Sequence, residues 1–241
     1  MAGMLVLLGS KVWAEPLVVY TENYPPFSFT GADRTVLGSA TAKVRQILDA
    51  AEVEYTIRLL PWARAMRMAR SDSNALIFSL VRTPKREERF DWLAPIAESS
   101  FYLQARADDM RVFTPETIRS GIYSGSCIAN DLACEFFLWA GMPPENVIPV
   151  HISLTGDYQM VIAGRADLYI SDMSVSVALR RAKGIDTSLT KPVMKLGGKA
   201  GYYLAAGKQV PQSVRDKIKS AHARLVSLDV YKVVPEQTPS K

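Results

Sequence analysis

The sequence predicts an α/β fold with two units in series, each a mainly parallel sheet flanked by helices. Strand-like and helix-like segments alternate over 17–81, and a second alternating set covers 121–182. Two more strand-like segments, 99–107 and 200–207, lie where the chain would cross between the units. A β-α-β-α-β order favours parallel strands joined by crossover helices. Such sheets bind ligands beyond the carboxyl ends of their strands, so we expect a cleft between the two units.

The first unit begins with the strand LVVYT, which leads into the ring-rich, proline-stiffened segment YTENYPPFSFTG at 20–31. GSATAKVRQILDAA carries apolar residues at helical spacing, and Ser39 is available as its cap. A β-branched strand at 53–60 follows, then a helix that starts at Pro61, then the apolar strand ALIFSL.

The second unit starts with GIYS, a short strand, and continues with the helix NDLACEFFLWAGM, capped by Asn130 or Asp131 and stopped by Gly141. DYQMVIAGRADLYIS indicates a helix, a turn and a strand, and SVSVALRRAKG another helix. An amphipathic helix, QSVRDKIKSAHARLVSL, closes the chain. We expect this tail to return to the first unit, so that one lobe comprises 15–106 plus 197–241 and the other 107–196.

Composition and charge exclude several classes of function. The 241 residues are 48% hydrophobic and 22% charged, as in ordinary globular proteins. The formal charge of +5 is small, and no run of Lys and Arg forms a nucleic-acid stripe, so we expect no nucleic-acid partner. The spacing of His and Cys matches no metal-ligand pattern, so we expect neither a metal nor a cofactor.

The opening segment 1–14, MAGMLVLLGSKVWA, resembles the end of a secretory signal. We expect cleavage after Ala14 and export from the cytoplasm, although no basic residue precedes the apolar run. An ordinary N-terminal strand or helix is the alternative. The run is far shorter than the roughly 20 apolar residues that span a bilayer.

The two cysteines, Cys127 and Cys134, either form a disulfide or remain buried thiols. On a single helix their rise alone would separate them by about 10 Å, too far for a bridge. A disulfide therefore requires Cys127 to lie before the helix that carries Cys134.

Three stretches carry side chains that can hold a small ligand. In ALIFSLVRTPKRE a strand ends at Ser79, and a Thr-Pro turn leads to Arg86, whose planar fork suits a carboxylate; pairing with a neighbouring acidic residue is the alternative. In AGRADLYISD, Asp172 follows a strand, where it either faces a cleft or caps the next helix. In GIYSGSC, Gly125-Ser126 precedes a helix, and N–H groups at helix starts attract anions.

Taken together and in this order, these stretches resemble the periplasmic solute-binding proteins of family 3, the polar amino acid-binding type. The resemblance covers about 17–230 and is carried by YPPFSF followed by GSATAKVRQIL, then FSLVRTPKREERF, GIYSGS and AGRADLYISD. PWARA resembles a branch of this family. The resemblance implies a two-lobed type II periplasmic-binding fold that closes like a hinge on a ligand.

The resemblance also implies roles for individual residues. Arg86 matches the arginine that clamps the ligand α-carboxylate, with help from Ser79 and Ser126. Asp172 matches the acid that takes the α-ammonium group. The aromatic side chains of Tyr24 and Phe27 match those that cover the ligand, whereas we expect Phe29 to pack inward.

The sequence departs from the family pattern at several positions. Val81 replaces a usual hydroxyl residue, Arg82 replaces a usual apolar residue, and Asn74-Ala75 replaces an Asp. If Arg82 faces the cleft, an acidic or dicarboxylic ligand is indicated, although alternation from Ser79 puts it on the opposite side. Trp62 either lines the rim of the first lobe or packs into its helix's buried stripe.

The resemblance implies the expected function. We expect a monomer that binds a small zwitterionic or carboxylate ligand, in the first place an amino acid, and delivers it to the membrane permease of an ABC importer. One alternative is an enzyme on the same fold, similar to cyclohexadienyl dehydratases, with Glu22, Asp172 and His151 as candidate acids or bases. Another is a ligand-sensing module that acts on a membrane receptor.

Overall fold

In the computed structural model, residues 15–129, 131–151 and 155–228 are described. The predicted signal, 1–14, and the candidate cap Asn130 lie outside the described residues. Within the described ranges, no helix has both the length and the apolar character needed to cross a membrane.

The strands of the described residues are β1 (Leu17–Thr21), β2 (Phe29–Thr30), β3 (Val36–Leu37), β4 (Tyr55–Leu59), β5 (Ala75–Val81), β6 (Phe90–Arg106), β7 (Gly125–Ile128), β8 (Val147–Val150), β9 (Leu168–Asp172) and β10 (Thr190–Gly207). Eight of them form one sheet in the order β4-β1-β5-β10-β6-β9-β7-β8, and β2 pairs with β3 separately.

The helices in the same ranges are α1 (Ser39–Ala50), α2 (Trp62–Ser71), α3 (Pro84–Glu87), α4 (Pro115–Arg119), α5 (Leu132–Trp139), α6 (Gly156–Ile162), α7 (Met173–Ala182) and α8 (Gln212–Ser227). Short 3-10 turns occupy Pro144–Asn146 and Thr187–Leu189.

The two predicted parallel units are confirmed. β1 pairs in parallel with β4 and β5, and β7 pairs in parallel with β8 and β9. We call the part built on β1, β4 and β5 lobe 1, and the part built on β7, β8 and β9 lobe 2. Between them β6 and β10 pair antiparallel from Phe90–Gly207 to Arg106–Thr190. The predicted crossing segments are therefore parts of two longer strands at the centre of the sheet.

The start of α1 fixes the ring-rich segment that follows β1. The N–H groups of Ser39, Ala40 and Thr41 donate to the carbonyls of Pro26 and Phe27, at 3.0–3.1 Å. The cap is Gly38, at φ 123°, and not Ser39, which is the first residue of the helix. A Cβ at Gly38 would meet the Phe27 carbonyl oxygen at 2.3 Å, so the close approach requires glycine. The predicted buried face of this helix is confirmed: Ala40, Val44, Ile47, Leu48 and Ala51 are buried.

In lobe 2 the first strand starts later than the sequence indicates, at Gly125 and not within GIYS. Asp131 caps α5, because its carboxylate accepts from the Leu132 N–H group. Cys127 of β7 and Cys134 of α5 form a disulfide, with their Cα atoms 5.3 Å apart. Cys127 thus precedes the helix, as a bridge requires.

Candidate functional site

A cleft between the lobes opens where the parallel strands end. It encloses about 900 Å³ of empty space, including open solvent at its mouth. Its lining comes from the ends of β1 and β5 in lobe 1, the end of β9 in lobe 2, and the starts of the helices that follow β7 and β9. This is the edge at which open α/β sheets bind ligands.

Arg86 reaches the cleft from α3, the short helix after the Thr83-Pro84 turn. It is 8% exposed, and one guanidinium N–H donates to the Val81 carbonyl at 3.1 Å. Burial lowers the pKa of Arg86, and the nearby carboxylates of Glu135, Asp131 and Glu22 oppose that effect. Two of the neighbouring acids that could have paired with Arg86 have other partners: Glu87 pairs with Arg82, and Asp91 pairs with Lys208.

Ser79 borders the cleft in a strained backbone conformation. It is a non-glycine residue at φ 59°, beside a register shift between β5 and β10. Its side chain is buried, and its Oγ has no hydrogen-bond partner among the described residues. Both backbone strain and an unpaired buried hydroxyl are costly, and both concentrate at binding sites. Ser79 therefore brings a strained backbone and an unpartnered hydroxyl to the wall of the cleft.

Asp172 is both the cap of α7 and a wall of the cleft. One carboxylate oxygen accepts from the N–H of Ser174 at 2.8 Å and from its hydroxyl at 2.7 Å. The other accepts from the Ser99 hydroxyl and, at 3.5 Å, from the Tyr202 hydroxyl. The sequence left open whether Asp172 caps a helix or faces a cleft. It does both, because the start of α7 lies at the edge of the cleft.

Two of the predicted aromatic residues, Tyr24 and Trp62, line the cleft. Phe27 does not: it lies behind Tyr24, and its ring centroid is 5.1 Å from that of Tyr202. The Phe27 carbonyl is tied to the start of α1, which draws the residue towards the core. Phe29 is buried, as expected.

Arg82 and Ser126 also lie outside the cleft lining, contrary to the sequence-based expectation. Arg82 leaves the strand on the opposite side, as alternation predicts; its side chain is 46% exposed, ion-paired with Glu87 and stacked over the Trp92 ring. Ser126 is fully buried in the middle of β7, with its Oγ unpartnered within the described residues, and the helix starts only at Leu132. Arg82, the cation that would have indicated an acidic ligand, is thus absent from the cleft lining.

Among the cleft residues that sequence reasoning missed as ligand-binding residues are three acids and a tyrosine: Glu22, Asp131, Asp157 and Tyr202. Glu22 follows β1 directly, which is a signal that could have been used. Asp131 was recognised only as a cap. Asp157 and Tyr202 carry no local signal, because α6 and β10 bring them to the cleft only in the folded chain.

The three missed carboxyl groups share one electrostatic property: their pKa values are raised. Burial raises the pKa of Glu22 well above its usual range, Asp131 raises it further, and Arg86 opposes. Burial also raises the pKa of Asp131. Burial raises the pKa of Asp157 to about 7, although its carboxylate accepts from the Tyr158 N–H group. These carboxyl groups are short of compensating positive charge.

The described residues contain no group of His, Cys, Asp and Glu that could hold a metal ion. Of the three candidate acids and bases, Glu22 and Asp172 line the cleft, whereas His151 is exposed outside it. The cleft is therefore suited to holding a small polar molecule by charge-assisted hydrogen bonds.

Solved structures with the same fold include amino acid-binding proteins and a sensor domain. An ancestral arginine-binding protein bound to arginine is 17% identical, covering 90% of this chain and 94% of that one, with a TM-score of 0.72. The arginine-, lysine-, histidine-binding protein ArtJ from Geobacillus stearothermophilus is 13% identical, with coverages of 94% and 97% and a TM-score of 0.72. A histidine kinase sensor domain with similarity to periplasmic binding proteins is 16% identical, with coverages of 90% and 92% and a TM-score of 0.77.

These likenesses confirm the two-lobed type II periplasmic-binding fold. No curated protein sequence matches the chain. The family model of the bacterial extracellular solute-binding proteins, family 3, matches residues 17–198, which is most of the chain. The protein therefore belongs to the bacterial extracellular solute-binding proteins of family 3.

Proposed function

We propose that this protein captures a small zwitterion, an amino acid, and delivers it to the permease of an ABC importer. The observation that carries the proposal is that Arg86 of lobe 1 and Asp172 of lobe 2, both buried side chains, line the same cleft. The guanidinium fork matches a carboxylate, and the Asp172 carboxylate can accept from an ammonium group. Ser79 supplies an unpaired hydroxyl, and Tyr24 and Trp62 supply aromatic walls.

Closure of the lobes would remove the bound ligand from water. We propose that lobe 1 comprises 15–106 plus 197–241, of which 229–241 lie outside the described residues, and that lobe 2 comprises 107–196. We propose that the two lobes rotate about β6 and β10. Lys85 of α3 pairs with Glu135 of α5 at 3.2 Å, an ion pair between the lobes beside Arg86. Such a contact favours the closed arrangement.

An amino acid ligand and a periplasmic location each have independent support. Two of the structural neighbours are described as arginine-binding or arginine-, lysine-, histidine-binding proteins. The disulfide between Cys127 and Cys134 is typical of an oxidising compartment, which the periplasm provides. We propose that the mature protein works there as a monomer.

A thermal-shift panel of the twenty common L-amino acids and a set of small carboxylates tests the proposal. A ligand that binds only the folded state stabilises it by about 2.7 kcal/mol at a hundredfold excess over Kd. We expect at least one α-amino acid to raise Tm, and amino acid amides, which lack the carboxylate, to fail. No shift with any α-amino acid would refute the amino acid assignment.

A sensing role is the second candidate, favoured by the similarity to a histidine kinase sensor domain. In that case the same ligand would bind, but the loaded protein would act on a membrane receptor. Stimulation of a reconstituted importer's ATPase activity by the loaded protein is expected for transport. Binding to a receptor ectodomain without such stimulation would favour sensing.

An enzymatic role has one observation in its favour: the Asp157 carboxyl, with a pKa of about 7, could give or take a proton at neutral pH. Incubation of the purified protein with a cyclohexadienyl acid distinguishes the enzymatic role from the binding role. We expect no turnover. Multiple turnovers would show that the protein is an enzyme and would contradict the proposed binding function.

A further inference from the structure

The cleft carries more negative groups than a zwitterion requires. Beside Arg86 and Asp172 it is lined by Glu22, Asp131 and Asp157, which we call the acidic trio. One other arginine, Arg180, is in the lining, and no lysine or histidine is among the described lining residues. The lining thus holds four carboxyl groups and two guanidinium groups.

Arg180 does not compensate the trio directly, because its N–H groups are directed at neutral acceptors. Nε donates to the Ser176 carbonyl at 3.1 Å, and Nη1 donates to the Thr190 hydroxyl at 2.8 Å. Its guanidinium also lies 4.9 Å from the centre of the Tyr158 ring. Arg86 is therefore the cation that acts on two members of the trio, since it lowers the pKa of Glu22 and Asp131.

The trio spans both walls of the cleft. Tyr20 pairs with Ile77 in the β1–β5 ladder, so Glu22 and Ser79 each follow two residues later at the same edge of lobe 1. Asp131 and Asp157 belong to lobe 2, where each accepts a backbone N–H at the start of its helix. Independently of these acids, Ser79 in the same lining is 7% exposed, and its hydroxyl has no hydrogen-bond partner within the described part of the chain.

Binding of a ligand carboxylate would increase the excess of negative over positive charge in the cleft. A ligand carboxylate that pairs with Arg86 neutralises the cation that compensates Glu22 and Asp131. A zwitterion without net charge brings no further positive charge for these acids, because its ammonium group pairs with Asp172. A ligand with a second positive group brings the missing charge into a buried site, where an unpaired charge is costly.

We infer that the acidic trio selects zwitterions with a second cationic group, that is, α-amino acids of net positive charge. This inference rests on the proposed function, since it assigns the far end of a ligand held by Arg86 and Asp172. The cationic group would lie between Glu22 on one lobe and Asp131 and Asp157 on the other, which couples its recognition to closure.

Matched ligand pairs test the charge without changing the shape of the ligand. L-arginine and L-citrulline differ by one positive group at nearly constant size, as do L-lysine and L-norleucine. Calorimetric titration of the full chain should show at least one cationic member binding about tenfold or more tighter than its neutral partner. Equal or weaker binding of both cationic members would overturn the inference and leave the proposed function standing if a neutral or acidic amino acid binds.

A variant assigns the preference to the trio. Asp157→Asn keeps an acceptor for the Tyr158 N–H group and removes the charge, and Asp108→Asn removes an exposed carboxylate outside the cleft. We expect Asp157→Asn to cut the cationic preference by about tenfold and to leave the neutral member of the pair within about threefold. Asp108→Asn should leave both unchanged. An unaltered preference in Asp157→Asn overturns the assignment, and failure of every amino acid to bind overturns the proposed function and this inference together.

Discussion

The Tyr24 hydroxyl lies 3.1 Å from the Tyr202 hydroxyl, which in turn donates to Asp172 at 3.5 Å. Tyr24 belongs to the loop after β1, Tyr202 to the shared strand β10, and Asp172 to the end of β9. Three elements that are far apart in sequence thus meet through side-chain oxygens beside the cleft. The chain of hydroxyls links the aromatic wall of lobe 1 to the acid of lobe 2.

Removal of the central hydroxyl should weaken ligand binding. Tyr202→Phe keeps the ring contacts with Phe27 and breaks both hydrogen bonds, so we expect affinity to fall by about three- to tenfold. Tyr203→Phe is the matched control, since Tyr203 packs against Trp92 and is absent from the cleft lining. Calorimetry with the best amino acid of the panel measures both. Equal affinities for the two variants would contradict a role for the Tyr24–Tyr202–Asp172 chain.

Ser79 should reveal a conflict between stability and binding. Ser79→Gly relieves the left-handed backbone and deletes the unpaired hydroxyl, so we expect the free energy of unfolding to stay level or rise by up to about 1 kcal/mol. Affinity should fall, because the ligand loses a hydrogen-bond partner. Chemical denaturation and calorimetry on one preparation give both quantities. A destabilised variant with full affinity would show that Ser79 serves the fold alone.

Asp157 should make the stability of the ligand-free protein depend on pH. Its pKa is about 7 in the folded protein against 3.8 ordinarily, so the folded state holds the extra proton between these values. Its contribution to stability is therefore present at low pH and is lost as pH rises towards 7. Relative to wild type, Asp157→Asn should gain on the order of 2 kcal/mol of stability between pH 5 and pH 8.

Denaturant titrations of wild type and Asp157→Asn at both pH values measure this difference. Two charged residues in the surroundings of Asp157 are kept unchanged in both proteins. Asp131 raises the pKa of Asp157, and Lys183 donates to the hydroxyl of the nearby Thr155. The Asp108→Asn control should show no such trend. The same stability difference at pH 5 and pH 8 would mean that Asp157 is ionised throughout.

Local sequence signals made the polar residues directly after strands or turns candidates for the site, beside open alternatives. Arg86, Asp172 and Ser79 were assigned to the site by the resemblance to family 3, and all three line the cleft. Two errors came from shifts in local boundaries. β7 starts four residues later than GIYS indicates, which buries Ser126, and the carbonyl contacts with α1 turn Phe27 inward.

The remaining residues depend on tertiary structure that no local pattern encodes. Tyr202 reaches Asp172 because β10 returns through the middle of the sheet beside β6. Asp157 reaches the cleft because α6 packs against β7 and β9. The charge character of the site therefore became visible only in the folded chain, where acids of both lobes meet around Arg86.

The central claim is that Arg86 holds the ligand carboxylate in the cleft. Calorimetric titration of Arg86→Ala and Arg89→Ala with the amino acid that gives the largest thermal shift tests it, since Arg89 is an exposed arginine three residues further on. We predict that Arg86→Ala loses about a hundredfold or more in affinity while its unliganded Tm stays close to that of wild type, and that Arg89→Ala binds normally. Binding by Arg86→Ala within about threefold of wild type would contradict the account.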